Sequence, residues 1–194
     1  MHFRTFAASI ALLFAAATPA VAALADELGE VTRLHHAGQS AEAVARADKY
    51  LAGKPKDAQM RFLKSVVLAD TGRAAEAQAL LQQLVQDYPE LAEPHNNLAA
   101  LYAGNGDYAR ARAELEESLR LNPAYATAYE NLADVYVMLA MQSYAKALRL
   151  EPANASIPGK LALLRQLSTP MAAKGREALG SAAASAATAS HVVR

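Results

Sequence analysis

Histidines, paired carboxylates and a glycine-rich turn are the groups here that could do chemistry, and their spacing decides how much. His35 and His36 are adjacent. Neighbouring helical residues point about 100° apart, so the pair is a poor two-point metal ligand. A solvated or groove-facing role fits it better. Glu130 and Asp134 lie four apart and share one face of a helix. Two carboxylates could divide acid and base work, yet nothing in the sequence builds a pocket around them. A solvated or ligand-facing surface is the better reading. Gly104-Asn105-Gly106-Asp107 could suggest a phosphate or calcium loop. It lacks the alternating carboxylates that calcium needs, and its residues suit a tight turn. The chain has no cysteine, hence no thiol nucleophile and no disulfide. Neither G-x-S-x-G, a P-loop nor a dinucleotide fingerprint occurs. The sequence therefore predicts a non-enzyme with no catalytic residue, no metal and no cofactor.

The elements that carry these residues are helices. Apolar residues make up 53% of the chain, much of it alanine, with aromatics at only 6%. That composition favours helices that approach closely. Lys+Arg and Asp+Glu both total 19, and zero net charge argues against a nucleic-acid partner.

The first residues, MHFRTFAASIALLFAAATPAVAA, have the pattern of an export leader. Arg4 gives the positive start, and Phe6 to Ala17 an apolar run too short to span a bilayer. Ala20-Val21-Ala22 supplies a small-x-small cleavage site, which places the cut after Ala22. Residues 1–22 are thus expected to be a signal peptide. The product is expected in a bacterial periplasm, with secretion as the second choice, and without a stable membrane anchor.

From there the chain repeats. Gly38, Gly72 and Gly106 recur every 34 residues. Ala43, Ala77 and Ala111 keep the same period, as do Pro55, Pro89 and Pro123. Within residues 92–125, Leu98, Leu101 and Tyr102 form a helical stripe, and Ala99 leaves room for a neighbour. Gly104 and Gly106 tolerate positive φ, and Asp107 is placed to cap the next helix. Ala111, Leu115, Leu119 and Leu121 continue the apolar face until Pro123 stops it. Each unit reads as a helical hairpin.

This pattern resembles the tetratricopeptide repeat. Its fixed positions fall in the third unit at His95, Leu98, Ala99, Tyr102, Gly106, Ala111, Leu115, Ser118 and Pro123. His95 departs from the usual large apolar residue and reads as a packing histidine. In the second unit Lys64 stands where leucine is usual. The resemblance implies an all-α solenoid of helical hairpins winding in a right-handed superhelix. Its units are about 24–57, 58–91, 92–125 and a shortened 126–152, within an array of 23–152. Ser156-Ile157-Pro158 reads as an N-cap and helix start, and Leu161, Leu163, Leu164 and Leu167 as one apolar face. A C-terminal capping helix is expected within 153–169. The Ala/Ser-rich stretch 170–194 has no apolar face and is expected to be disordered.

Pro123 and Pro152 are 29 residues apart, so the fourth unit lacks five. The missing five contain the turn. Tyr129, Tyr136, Ser143 and Leu150 fall seven apart, as do Ala133, Ala140 and Ala147. The fourth hairpin is therefore predicted to be one helix from about Thr127 to Leu150, whose second half packs on the C-terminal helix or on another copy.

The resemblance also implies a concave face lined by the first helix of each unit. Its candidate protein-binding residues are Gln59, Phe62, Asp70, Glu93, Asn96, Asn97, Glu130, Asn131 and Asp134. Asn97 and Asn131 either bond a bound peptide's backbone or tie neighbouring helices together. The carboxylates make the far end acidic, which suits a ligand with basic or amide groups. The leading expectation is a periplasmic adaptor that binds a protein or peptide in cell-envelope assembly or maintenance. The alternative is a self-associating structural protein, a homodimer that uses the shortened fourth unit. An enzyme is the weakest reading, because the segment after the repeats is too short for a catalytic domain.

Overall fold

The structure, a computed structural model, describes residues 19–168. The tail 170–194 and residues 1–18 of the expected leader lie outside the described residues. The described chain is a succession of helices: α1 (Pro19–His36), α2 (Ser40–Gly53), α3 (Ala58–Asp70), α4 (Ala74–Asp87), α5 (Ala92–Gly104), α6 (Tyr108–Leu121), α7 (Ala126–Leu150) and α8 (Ser156–Leu167). The first six pair into three hairpins. Each second helix also packs on the first helix of the next unit, α2 on α3, α4 on α5 and α6 on α7.

The period of glycines has a direct backbone cause. Gly38, Gly72 and Gly106 take φ of 77°, 79° and 78°, the left-handed region that L side chains disfavour. The N–H after each glycine bonds back to the carbonyl of Leu34, Leu68 or Tyr102, all at 2.9 Å. The three turns are thus copies of one helix-terminating geometry. Side chains of Asp57 and Asp107 cap α3 and α6, accepting from the N–H of Met60 and Arg110.

The core runs continuously through the array. Val31, Ala43, Ala47, Met60, Val66, Leu68, Ala77, Leu81, Leu84, Leu98, Ala99, Ala111 and Leu115 are all buried in it. Alanine at 43, 77 and 111 lets the two helices of each hairpin close up. The unusual Lys64 finds its partner across a unit boundary, Nζ 2.5 Å from the Asp48 carboxylate on α2.

The fourth unit has no turn. α7 runs unbroken through 25 residues, about 38 Å at 1.5 Å per residue. Its buried residues are Ala128, Asn131 and Val135, all in the first half. α8 follows and packs on α7. Two details of α8 differ from expectation. Ser156 opens the helix without capping it. The cap position is Ala155, and the Asn154 side chain just before it accepts from the Ser156 N–H at 3.1 Å and its hydroxyl at 2.7 Å. Ile157 and Leu161 are buried, but Leu163 and Leu167 are exposed, so the leucines do not form one covered face. Among the described residues this 12-residue helix packs chiefly on α7, so it has mainly one side to bury.

Candidate functional site

The first helices of the units carry equivalent residues at a spacing of 34. Gln59 and Glu93 occupy one such column, Phe62, Asn96 and Glu130 a second, Asn97 and Asn131 a third. The helices follow one another in space: α1 touches α3, and α5 touches α7.

Neighbouring units decide which of these residues a ligand can reach. Phe62, Asn96, Asn97 and Asn131 are buried. The asparagines form a chain of amides across the unit boundary. Asn131 Nδ2 donates to Asn96 Oδ1 at 2.9 Å, and Asn96 Nδ2 donates to Asn97 Oδ1 at 3.2 Å. Asn97 Nδ2, at the end of this chain, is buried without a hydrogen-bond partner. The amides therefore tie α5 to α7. Gln59, Glu93 and Glu130 remain exposed, and Asp134 is half-buried.

Glu93 also acts on a neighbour. Burial pushes the Tyr125 phenol up to about 12, and the Glu93 carboxylate adds to the shift by opposing a second negative charge. The neutral phenol is thus the form the fold favours. Between the free phenol's pKa of about 10 and the folded value, the unfolded chain loses this proton and the folded chain keeps it. Stability contributed by Tyr125 is present below pH ~10 and is lost as pH rises toward 12. The alkaline limb of a stability–pH profile is expected to flatten in Tyr125→Phe; an unchanged limb would refute the assignment.

Asp70 is half-buried and already engaged. Its Oδ2 lies 2.8 Å from His35 Nε2, whose Nδ1 lies 3.1 Å from Ser40 Oγ. The residue types are those of a hydrolytic triad, but the arrangement matches a tie between units. Ser40 opens α2, His35 lies in the last turn of α1, and Asp70 ends α3. His35 is thus mostly buried and bonded on both ring nitrogens, where the sequence suggested a solvated or groove-facing residue. No sequence signal linked these three, because Asp70 lies a full repeat away.

His95 is buried as expected of a packing residue, with Nδ1 2.7 Å from Glu114 on α6. Arg61 stands at the equivalent place in the second unit and pairs with Asp87 of α4 at 2.7 Å. In both units this position is bonded to the unit's own second helix. Among the described residues no cluster of His, Cys, Asp or Glu could hold a metal, and no helix is long and apolar enough to cross a membrane. A cleft of 420 Å³ lies on the first unit, lined by Glu30, Arg33, Leu34, Gln39, Glu42 and Arg46 among others. None of the candidate residues lines it.

Residues 92–125 match the tetratricopeptide repeat profile, and residues 61–83 match a second profile of the same repeat. With the hairpin geometry above, the chain is a tetratricopeptide repeat protein. No protein of curated function matches the sequence. Solved structures share the fold. A crystal structure of MamA aligns at 20% identity and TM-score 0.53, covering 82% of this chain and 92% of that one. An O-GlcNAc transferase mutant from Thermobaculum terrenum aligns at 23% identity and TM-score 0.55, over 65% of this chain and 24% of the transferase. A structure of Naa15/Naa10 bound to HypK-THB gives 19% identity and TM-score 0.52, over 88% of this chain and 25% of that one. The chain thus spans about a quarter of the latter two and nearly the whole of MamA.

Proposed function

We propose that this chain is a binding scaffold that performs no reaction and holds an extended segment of another protein along the first helices of its units. One observation carries the reading. Of the candidate residues on these helices, Gln59, Glu93 and Glu130 are left exposed, while the asparagines between them are buried. The accessible face is therefore acidic or amide, and it suits a basic or amide-rich partner. The leader-like start of the sequence supports export to the periplasm, where the partner would be a component of cell-envelope assembly or maintenance.

The test is titration of a fluorescent lysine-rich peptide against the chain, at low and high salt. Binding is expected to weaken with salt, and to fall at least about tenfold in Glu130→Lys/Asp134→Lys. Equal affinity in that variant would overturn the acidic-face reading. Preference for an acidic peptide would do the same.

A further inference from the structure

The fourth unit exposes a surface that the other units cover. In the third unit His95, Ala99 and Tyr102 of α5 are buried, and His95 bonds to Glu114 of that unit's own second helix. The residues 34 further on are Tyr129, Ala133 and Tyr136. Tyr129 is 54% exposed and Tyr136 49%, against 8% for His95 and 6% for Tyr102. Ala133 is exposed too.

The chain still encodes the helix that belongs there. Ala111, Leu115 and Ser118 are the buried residues of α6, and Ala77, Leu81 and Leu84 those of α4. Counted back from Pro152, the matching residues of the fourth unit are Ala140, Tyr144 and Ala147. They lie in the second half of α7 and are only half-buried. With the turn gone, that half extends away from the first and cannot cover it. Tyr129, Ala133, Tyr136, Ala140, Ser143, Ala147 and Leu150 alternate spacings of four and three, the seam of a two-helix coiled coil.

We propose that two copies of this chain pair antiparallel along α7, each supplying in trans the second helix that the other's fourth unit lacks. The third hairpin fixes the register. His95 meets Glu114, and the Ser118 hydroxyl donates to the Ala92 carbonyl at 2.8 Å. The corresponding residues place Tyr129 of one copy opposite Ser143 of the other, and Ala126 opposite Ala147. The two-fold axis then passes beside Tyr136. Tyr129 meets the small Ser143, Tyr136 meets its own copy across the axis, and Ala133 faces Ala140, which lets the helices approach closely. This pairing is isologous, so it closes as a dimer. It does not depend on the acidic-face reading, which can fail without it.

Light scattering on the purified chain tests the proposal. A dimer is expected. Ala133→Arg/Tyr136→Glu, both changes at exposed positions, is expected to be monomeric with unchanged helical circular dichroism. Inserting Asn-Gly-Asp-Tyr-Ala, the residues at 105–109, between Met138 and Leu139 restores the turn and is also expected to give a monomer. Because the chain has no cysteine, single substitutions read the register directly. Tyr136→Cys is expected to form a disulfide-linked dimer on mild oxidation. Tyr129→Cys is expected to link only when mixed with Ser143→Cys. A wild-type monomer at the highest soluble concentration, a dimer that survives both monomer designs, or links formed equally by both single cysteines would each overturn it.

Discussion

Leu98→Ala is expected to destabilise the chain by about 3 kcal/mol, and Leu132→Ala by about 1 kcal/mol. The two leucines are the same residue at the same repeat position. Leu98 is essentially inaccessible in the core between α5 and its neighbours. Truncating it removes packed atoms and leaves a cavity that a close-packed helical pair cannot fill. Leu132 is only half-buried, since the fourth unit has no second helix folded over it. Water can enter there, so the cavity penalty largely disappears. Denaturant melts at concentrations that keep the chain monomeric measure both, with the denaturant slope checked for constancy. Equal losses would mean that the fourth unit is closed like the third.

Asn96→Ala is expected to cost about 2–4 kcal/mol, although it removes only a small side chain. Asn96 is the middle of the amide chain, accepting from Asn131 and donating to Asn97. Its loss strands a donor on Asn131 and an acceptor on Asn97, both buried residues. Each unsatisfied buried group costs about 1–3 kcal/mol. Asn131→Ala strands only the Asn96 oxygen and should cost less. The double replacement should fall well short of the sum, because the two residues share one bond. A double-mutant cycle measures the difference. Additive losses would mean that the amides do not act on each other.

Much of this fold was legible because its signals are local. The glycine period marked the three left-handed turns directly, since few residues other than glycine take that conformation readily. The missing five residues gave α7, because a hairpin cannot close without a loop. What was not legible depends on how units stack. Asn97 and Asn131 could equally have faced a ligand or each other. Only the offset between α5 and α7 shows the Asn131–Asn96 bond and the burial that follows. The same holds for the His35–Asp70 and Lys64–Asp48 pairs, which cross unit boundaries. The apolar spacing of α8 predicted a helix but not which leucines would be covered, because that depends on how α8 sits on α7.

The uninterrupted course of α7 also changes what kind of equilibrium the fourth unit obeys. A turn tethers two helices at an effective concentration of roughly millimolar or more, so a hairpin closes regardless of how much protein is present. Deleting the tether leaves the same complementary halves with only bulk concentration to bring them together. Completion of the fourth unit then becomes second order in the chain itself. At low abundance the array ends in an open, exposed helix. Under the proposed pairing, that end fills by mass action as copies accumulate in one compartment. In the proposed pairing, five residues missing from a turn thus convert a fixed structural contact into a response to the protein's own local abundance.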